Sequence, residues 1–302
     1  MAGALVEARD LTKRFGAVTA LDRLSLSVPE GGVYGVLGAN GAGKSTFFRL
    51  CLDLIRPGGG ALAILGGTPA MVSVRRRIGA MIETPRYYPS LSAEETLRML
   101  ARASGVRDPG SARWLARVGL AEAAQRPVRH FSVGMKQRLG IAAALIARPR
   151  LLILDEPTSG MDPAGILEMR TLIRDLAQKE NITILLSSHL LDEVQRTCDR
   201  VAIFSRGRLA AEGRIDTLLA GQEKLRLLAT AQGPLLAALG PRGTPDGEGV
   251  LVSITRAEAP ALLRALMNNG TDLIEARWVG GELEKFYLEQ TSLKQAGGDH
   301  AG

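Results

Sequence analysis

The feature that most constrains this 302-residue chain is a glycine-rich run, Gly38-Ala39-Asn40-Gly41-Ala42-Gly43-Lys44-Ser45. The run fits the pattern G-x-x-x-x-G-K-[ST], and it stands between an apolar segment at 33–37 and a helical pattern at 44–55. Glycines at these spacings let backbone N–H groups close around a polyphosphate, and the N-terminus of the following helix favours the same anion. The pattern therefore predicts a loop that binds the phosphates of a nucleotide.

Two side chains of this loop carry chemistry of their own. Lys44 is expected to contact the β- and γ-phosphates, and the Ser45 hydroxyl is expected to ligate Mg²⁺. The other residues of this segment expected to contact the nucleotide are Gly38, Asn40, Gly41, Ala42, Gly43 and Thr46. A glycine-rich turn with an incidental lysine is the alternative, and the flanking strand and helix argue against it.

A pair of acids follows a second apolar strand. Residues 151–154 are apolar throughout, and Asp155 and Glu156 come directly after them. Two carboxylates at the end of a buried strand are unfavourable unless a cation lies close by. We expect Asp155 to hold Mg²⁺ and Glu156 to act as the general base that polarises an attacking water. The alternative is a pair of acids that merely cap the next helix.

The order of apolar runs predicts an α/β fold. Between 33 and 204, short apolar runs alternate with longer amphipathic stretches, which is typical of parallel strands joined by crossover helices. Segments 5–8 and 24–28 predict an antiparallel strand pair beside that core. A helical subdomain is expected at about 86–148. The predicted fold class is a P-loop NTPase core with a mainly parallel sheet, an antiparallel β flank and an α-helical subdomain.

Two helix starts can be placed from local chemistry. Ser92 and Glu95 form a capping-box pattern at the start of a helix in the helical subdomain. Asp162 followed by Pro163 predicts an N-cap and a proline in the first turn of another helix, which ends near 178.

Composition divides the chain into two domains. Residues 1–221 are expected to form the nucleotide-binding domain, and residues 222–302 a small α+β domain. In that second part the pattern predicts three strands and three helices, with a loop at 240–247 that is rich in Gly and Pro. The tail at 297–302 is expected to be disordered.

Composition also excludes several classes of protein. The chain is 46% hydrophobic and 23% charged, which suits a globular protein, and no apolar run approaches the ~18 residues of a membrane span. The N-terminus lacks the apolar segment of a signal peptide, and two cysteines without metal-site spacing suit a reducing compartment. The net charge is +7, but the densest basic run, 75–77, has no interleaved aromatic residues. We therefore expect a cytoplasmic protein with no nucleic-acid partner.

Three further segments decide among the classes of nucleotide-binding protein. Residues 131–138, Phe-Ser-Val-Gly-Met-Lys-Gln-Arg, resemble the signature motif LSGGQ of the ABC ATPase family, with Val133 and Met135 in place of its first glycine and its glutamine. Residues 159–162, Ser-Gly-Met-Asp, resemble the D-loop of that family. His189 stands where the family has its switch histidine. The resemblance covers about residues 5–213 and implies an ATP-hydrolysing subunit of an ABC transporter.

The resemblance also implies roles and partners. Ser132 and Gly134 of the signature would contact ATP held by a second ATPase subunit, to which Asp162 of the D-loop would also contribute. Glu156 and His189 would be the catalytic residues, with ATP and Mg²⁺ as cofactors. Phe15 would stack on adenine, although a core phenylalanine is an equally open alternative on residue type. The implied assembly is a dimer, with a homodimer expected, bound to integral membrane permease subunits at the cytoplasmic face of the cell membrane.

One departure from the family pattern points to a branch. Glu83 stands where the family normally has a glutamine that senses Mg²⁺, and a carboxylate can also ligate that ion. This variant resembles the exporters that confer bacitracin and lantibiotic resistance, so export of a drug or peptide antibiotic is expected. A surface acid in a shifted loop is the alternative for Glu83. The alternative functions are a soluble ABC ATPase acting on ribosomes or DNA and an exporter of lipid or polysaccharide.

Overall fold

The computed structural model describes residues 4–82, 85–220 and 224–296. The chain divides into two compact units at the bond between Arg214 and Ile215, somewhat before the expected boundary after residue 221. The boundary is earlier because the short helix α8, Ile215–Leu218, belongs to the second unit. Within the described ranges, no helix has both the length and the apolar content that crossing a membrane requires.

The N-terminal unit combines nine strands with seven helices. Its strands are β1 Ala4–Phe15, β2 Val18–Pro29, β3 Val33–Leu37, β4 Gly59–Ile64, β5 Ile78–Met81, β6 Leu151–Asp155, β7 Thr183–Ser188, β8 Arg200–Ser205 and β9 Arg208–Arg214. Its helices are α1 Lys44–Cys51, α2 Val72–Arg75, α3 Ala93–Ala103, α4 Ser111–Arg117, α5 Val133–Leu145, α6 Pro163–Lys179 and α7 Leu191–Thr197. These counts refer to the described residues.

The larger sheet positions the functional loops. Its strand order is β5-β6-β7-β3-β8-β9, and only the β8–β9 pair is antiparallel. β3 and β7 are buried along their whole length, as strands covered on both faces should be. Because β3, β6 and β7 run in the same direction, the loops after them meet at one edge of the sheet. The predicted α/β fold with a mainly parallel sheet is confirmed.

A second, antiparallel sheet covers the core. Its order is β2-β1-β4, so the expected strand pair is present, and both of its strands are longer than the sequence indicated. Helix α1 contributes Phe47 and Phe48 to the core, and the ring of Phe47 meets that of Phe204 edge-on at 5.8 Å. α1 ends at Cys51, about one turn earlier than expected, because Asp53 adopts a left-handed backbone with φ of 57°.

The helical subdomain begins as the sequence indicated. The backbone N–H of Glu95 donates to Ser92 Oγ at 3.2 Å, and the backbone N–H of Ser92 donates to Glu95 Oε2 at 2.8 Å. The predicted capping box is therefore confirmed. Hydrogen bonding of the Glu95 carboxylate to Ser92, first to its backbone N–H and then to its side chain, lowers the pKa of that carboxyl. The α6 start is also confirmed, because Asp162 Oδ1 accepts from the backbone N–H of Gly165 at 2.9 Å.

The C-terminal unit is a small α+β domain. Its described strands are β10 Lys224–Ala229, β11 Gly243–Asp246, β12 Gly249–Val252 and β13 Leu273–Val279, in the antiparallel order β11-β12-β10-β13. Its described helices are α8, α9 Gln232–Leu239, α10 Ala259–Asn268 and α11 Leu283–Ala296. The expected loop at 240–247 is wrong in part, because β11 lies within it. Pro245 fits there because β11 is an edge strand that pairs only with β12. The tail expected to be disordered, 297–302, lies outside the described residues.

The capping box gives a stability prediction. Replacing Ser92 with Ala removes the acceptor for the Glu95 N–H, and we expect the free energy of unfolding to fall by about 1 kcal/mol. Urea denaturation followed by tryptophan fluorescence measures it, since Trp114 lies in the same subdomain. The control is Ser104→Ala, an exposed position at the other end of the same helix. Equal stability of the two variants would contradict the prediction.

Candidate functional site

The glycine-rich loop joins β3 to α1 with a backbone that glycine makes possible. Gly41 and Gly43 have φ of 81° and 107°, in the left-handed region that disfavours other residues. A Cβ on Gly43 would lie 2.7 Å from both the carbonyl oxygen of Ala20 and a methyl carbon of Leu21. Gly43 is the N-cap of α1 and has no capping side chain, so the first N–H groups of this helix stay available for an anion.

Lys44 is held inside this loop. The residue is only 6% exposed, and its Nζ donates to the carbonyl oxygens of Gly38 at 2.6 Å and Ala39 at 3.3 Å. Burial lowers the pKa of Lys44, while the carboxylates of Glu156 and Asp155 act in the opposite direction. A cation that is satisfied by carbonyl oxygens of its own loop is preplaced to meet a phosphate.

The other loop residues predicted to touch the nucleotide differ in exposure. Asn40 and Gly41 are exposed, Ser45 and Thr46 are half-buried, and Ala42, like Gly38 and Gly43, is buried. The backbone N–H of Ala42 donates to the carbonyl of Ala39 at 3.1 Å, which tightens the turn. The tip of the loop, residues 39–41, is therefore its exposed part.

The acid pair lies at the end of β6, beside β7. The Ser187 hydroxyl donates to Asp155 Oδ1 and accepts from the backbone N–H of Glu156 at 3.0 Å. Glu156 itself has φ of 49°, a left-handed backbone that is uncommon outside glycine. Ser187 thus fixes both acids to the neighbouring strand, and sequence reasoning missed it.

His189 meets the second acid of this pair. Its Nδ1 lies 3.0 Å from Glu156 Oε2, and its side chain is 52% exposed. The histidine follows β7 directly, so parallel pairing of β6 with β7 brings the two residues together from 33 positions apart. The geometry suits a histidine that orients a carboxylate facing solvent.

The signature segment starts α5. Ser132 is its N-cap, and Ser132 Oγ accepts from the backbone N–H of Met135 at 3.2 Å. A Cβ on Gly134 would lie 3.1 Å from the terminal methyl group of Met161, in the segment predicted to be the D-loop. Signature and D-loop residues together line a surface recess of about 530 Å³. Ser132, Gly134 and Asp162 are therefore neighbours within one chain.

Phe15 lies at the end of β1, in the turn that leads to β2. Its side chain is 47% exposed, and Lys13 Nζ lies 5.2 Å from the centre of its ring. The alternative of a core phenylalanine is therefore wrong, because the ring lies at the surface with Lys13 over one of its faces. Glu83, the third residue expected to ligate Mg²⁺, lies outside the described residues.

The structure places a further acid near these residues that the sequence did not predict. Glu193, in the first turn of α7, accepts a hydrogen bond from Thr158 Oγ1 at 2.8 Å and one from Ser188 Oγ at 3.3 Å. The signal that could have pointed to this region is the pair Ser187-Ser188, two polar residues at the end of an otherwise apolar run.

Comparison with protein families and curated relatives adds independent evidence. The family model described as ABC transporter matches residues 21–159. The bacitracin transport ATP-binding protein BcrA of Bacillus licheniformis is 44% identical over 217 residues, which are 71% of each chain. The lantibiotic transport ATP-binding protein SrtF of Streptococcus pyogenes is 38% identical over 228 residues, which are 76% of this chain and 97% of SrtF. An uncharacterized ABC transporter ATP-binding protein of Bacillus subtilis, YdbJ, is 33% identical over 99% of both chains.

Solved structures agree with these relatives. An ATP-binding subunit of an ABC transporter superposes with a TM-score of 0.62 at 33% identity, over 71% of this chain and 91% of that one. CbiO1 of Clostridium perfringens, described as part of the ABC transporter complex cbiONQ, gives a TM-score of 0.66 at 27% identity. That match covers 72% of this chain and 91% of CbiO1.

The tight position of Gly43 yields a prediction. In Gly43→Ala, the new Cβ would clash with Ala20 and the residue would have to keep a positive φ, so the loop would be distorted. Backbone strain of this kind is roughly 1–3 kcal/mol. We therefore expect the affinity for nucleotide to fall at least about tenfold. Equilibrium binding of a fluorescent ATP analogue measures the change. The control is Gly233→Ala, where an added Cβ meets no atom within 4 Å. Unchanged affinity of the Gly43 variant would show that the loop tolerates a side chain.

Proposed function

Because the chain belongs to the ABC transporter family, as one of its ATP-binding and ATP-hydrolysing subunits, we propose that it powers export of a drug or peptide antibiotic through separate membrane-spanning subunits. The observation that carries the proposal is the convergence of the glycine-rich loop, the acid pair and His189 at one edge of the sheet. Relatives named for bacitracin and lantibiotic transport support the export of such compounds.

ATP would be held by its phosphates and its base. The loop at 38–45 supplies backbone N–H groups and the Lys44 ammonium to the phosphates, and the exposed ring of Phe15 supplies a stacking surface for adenine. Asn40, Gly41 and Thr46 belong to the same loop and the first turn of α1.

Mg²⁺ would bind beside these phosphates. The half-buried Ser45 hydroxyl and the Asp155 carboxylate at the end of β6 are oxygen donors of the kind that Mg²⁺ prefers, in the small number usual when phosphates complete the shell. Glu83 is proposed as a third oxygen donor. When bound, the ion would neutralise charge that develops on the phosphates.

Hydrolysis would use Glu156 and His189. A water placed against the γ-phosphate attacks phosphorus, the bond to the β-phosphate oxygen breaks, and Glu156 accepts the proton of that water. The products are ADP and phosphate. His189, with Nδ1 3.0 Å from Glu156 Oε2, holds the carboxylate toward solvent, where the nucleotide would lie. Ser187 fixes the backbone of Glu156 to β7.

A second copy of the chain would complete each site. Ser132 uses its oxygen as an acceptor for the N–H of Met135, which leaves its hydroxyl hydrogen available to donate to the γ-phosphate of a facing subunit. Gly134 exposes backbone N–H at the start of the 13-residue helix α5, whose dipole favours the same phosphate. Asp162 lies beside them in the D-loop. ATP would favour the closed dimer, and hydrolysis would favour opening.

Coupling to transport requires a permease. We place its contact near Glu83 and the helical subdomain, where Tyr88 leaves 64% of its surface exposed. An aromatic side chain exposed to this degree suits an interface with another protein. The subunit would thus work at the cytoplasmic face of the cell membrane without crossing it.

The base assignment gives a direct prediction. Glu156→Gln keeps the shape of the side chain but removes its capacity to take a proton, so steady-state ATP hydrolysis should fall at least about 100-fold. ATP binding should persist, and the ATP-bound dimer should accumulate, as size-exclusion chromatography with multi-angle light scattering would show. Glu122→Gln, an exposed acid of the helical subdomain, is the matched control. Normal turnover by the Glu156 variant would reject the assignment.

Export itself is tested in cells. Co-expression with the membrane protein that co-purifies with this subunit should raise resistance to bacitracin or a lantibiotic, and Glu156→Gln should abolish the gain. Resistance is measured as minimal inhibitory concentration, with an unrelated antibiotic as control. Co-purification of ribosomes or DNA instead of a polytopic membrane protein would count against the exporter role.

A further inference from the structure

Glu193 connects the two loops that carry the hydrolytic residues. Its Oε2 accepts from Thr158 Oγ1 at 2.8 Å and from Ser188 Oγ at 3.3 Å. Thr158 follows Glu156 by two positions, and Ser188 directly precedes His189. One carboxylate oxygen of Glu193 therefore accepts a hydrogen bond from each loop: one from the loop after β6 and one from the end of β7.

This bridge runs beside the contact between the hydrolytic residues themselves. Glu156 Oε2 and His189 Nδ1 are 3.0 Å apart at a half-exposed position, where solvent competes for both groups. The Glu193 bridge lies further inside, because the buried Ser188 and the half-buried Thr158 and Glu193 form it. Hydrogen bonds to a carboxylate are stronger than those between neutral groups, and less so where water can replace them. The inner bridge is thus the stronger constraint on the separation of the two loops.

The second oxygen of Glu193 lies in a part of the structure that also contains a side chain of α6. Glu193 Oε1 and Arg170 Nε are buried, neither has a hydrogen-bond partner among the described residues, and both residues line one cavity of about 20 Å³. A volume of this size accommodates about one water molecule. Such a water could donate to Glu193 Oε1 and accept from Arg170 Nε.

Stabilisation of α7 alone does not account for these contacts. Both Asp192 and Glu193 lie in the first turn of α7, where acids interact favourably with the helix dipole. Asp192 fills that role from an exposed position and pairs with Arg196 at 2.7 Å. Glu193 instead accepts hydrogen bonds from side chains of the two loops.

We propose that Glu193 is a positioning residue for ATP hydrolysis, which fixes the distance between the loops of Glu156 and His189. This inference rests on the proposed roles of those two residues. Loss of the bridge would let the base and the histidine shift relative to a bound nucleotide, while the glycine-rich loop that binds the phosphates stays intact. Small misplacements of catalytic groups reduce turnover far more than binding.

The test compares variants that remove one partner at a time. Thr158→Val keeps the shape of the side chain without its hydroxyl, and Thr158→Ser keeps the hydroxyl. We expect Thr158→Val and Glu193→Ala to lower kcat by roughly 10- to 100-fold, with KM for ATP changed by less than about twofold. Thr158→Ser and the control Asp192→Asn should keep kcat within about twofold of the unchanged protein. Glu193→Gln retains one acceptor oxygen, so it should keep more activity than Glu193→Ala.

Coupling between the two positions gives the decisive readout. Because they share one hydrogen bond, the double variant Thr158→Val/Glu193→Ala should be no slower than Glu193→Ala alone. Multiplicative effects, an unchanged kcat, or a loss of nucleotide affinity equal to the loss of kcat would each overturn the proposal. If Glu193→Ala does not fold, Thr158→Val against Thr158→Ser decides alone.

Glu156→Gln separates this inference from the one it rests on. If Glu156→Gln stops turnover while the Thr158 and Glu193 variants hydrolyse ATP normally, only the positioning role fails. If Glu156→Gln hydrolyses ATP normally, the role of Glu156 as the general base is rejected. A lower kcat of the Glu193 variants would then have to arise from the displacement of another catalytic group.

Discussion

Parallel pairing of β3, β6 and β7 is the constraint on which the site depends. Pairing in one direction puts the ends of the three strands at one edge, and the loops that follow carry Lys44, the acid pair and His189. The register sets Asp155 opposite Ser187, so a strand–strand hydrogen-bond ladder, rather than loop packing, determines where the acids point. A slip of one residue would turn these side chains to the other face of the sheet.

Local chemistry allowed much of this arrangement to be predicted. The glycine-rich loop, the capping box of Ser92 and Glu95, and the N-cap at Asp162 all depend on residues within eight positions of each other. The buried strand at 151–154 was visible because strands covered on both faces are apolar throughout. The family relationship, read from motifs in their order, agrees with relatives that span the chain.

Other features could not be predicted from the sequence, because they arise from contacts between distant segments or from exceptions to composition rules. Ser187 and Glu193 look ordinary in sequence, and their partners Asp155 and Thr158 lie 32 and 35 positions away. β11 was taken for a loop because Gly and Pro usually interrupt strands, whereas an edge strand needs hydrogen bonds on one side only. The exposure of Phe15 could not be decided from residue type, since phenylalanine is common in cores.

The left-handed backbone at Glu156 has a consequence for the order of events at the site. A non-glycine residue in this conformation is less stable by about 1 kcal/mol or more, and here the neighbouring strand holds it in place through Ser187. The unfavourable backbone conformation of Glu156 is thus established during folding and does not have to be formed again in each catalytic cycle. Binding energy from ATP is then not needed to shape the loop of the acid.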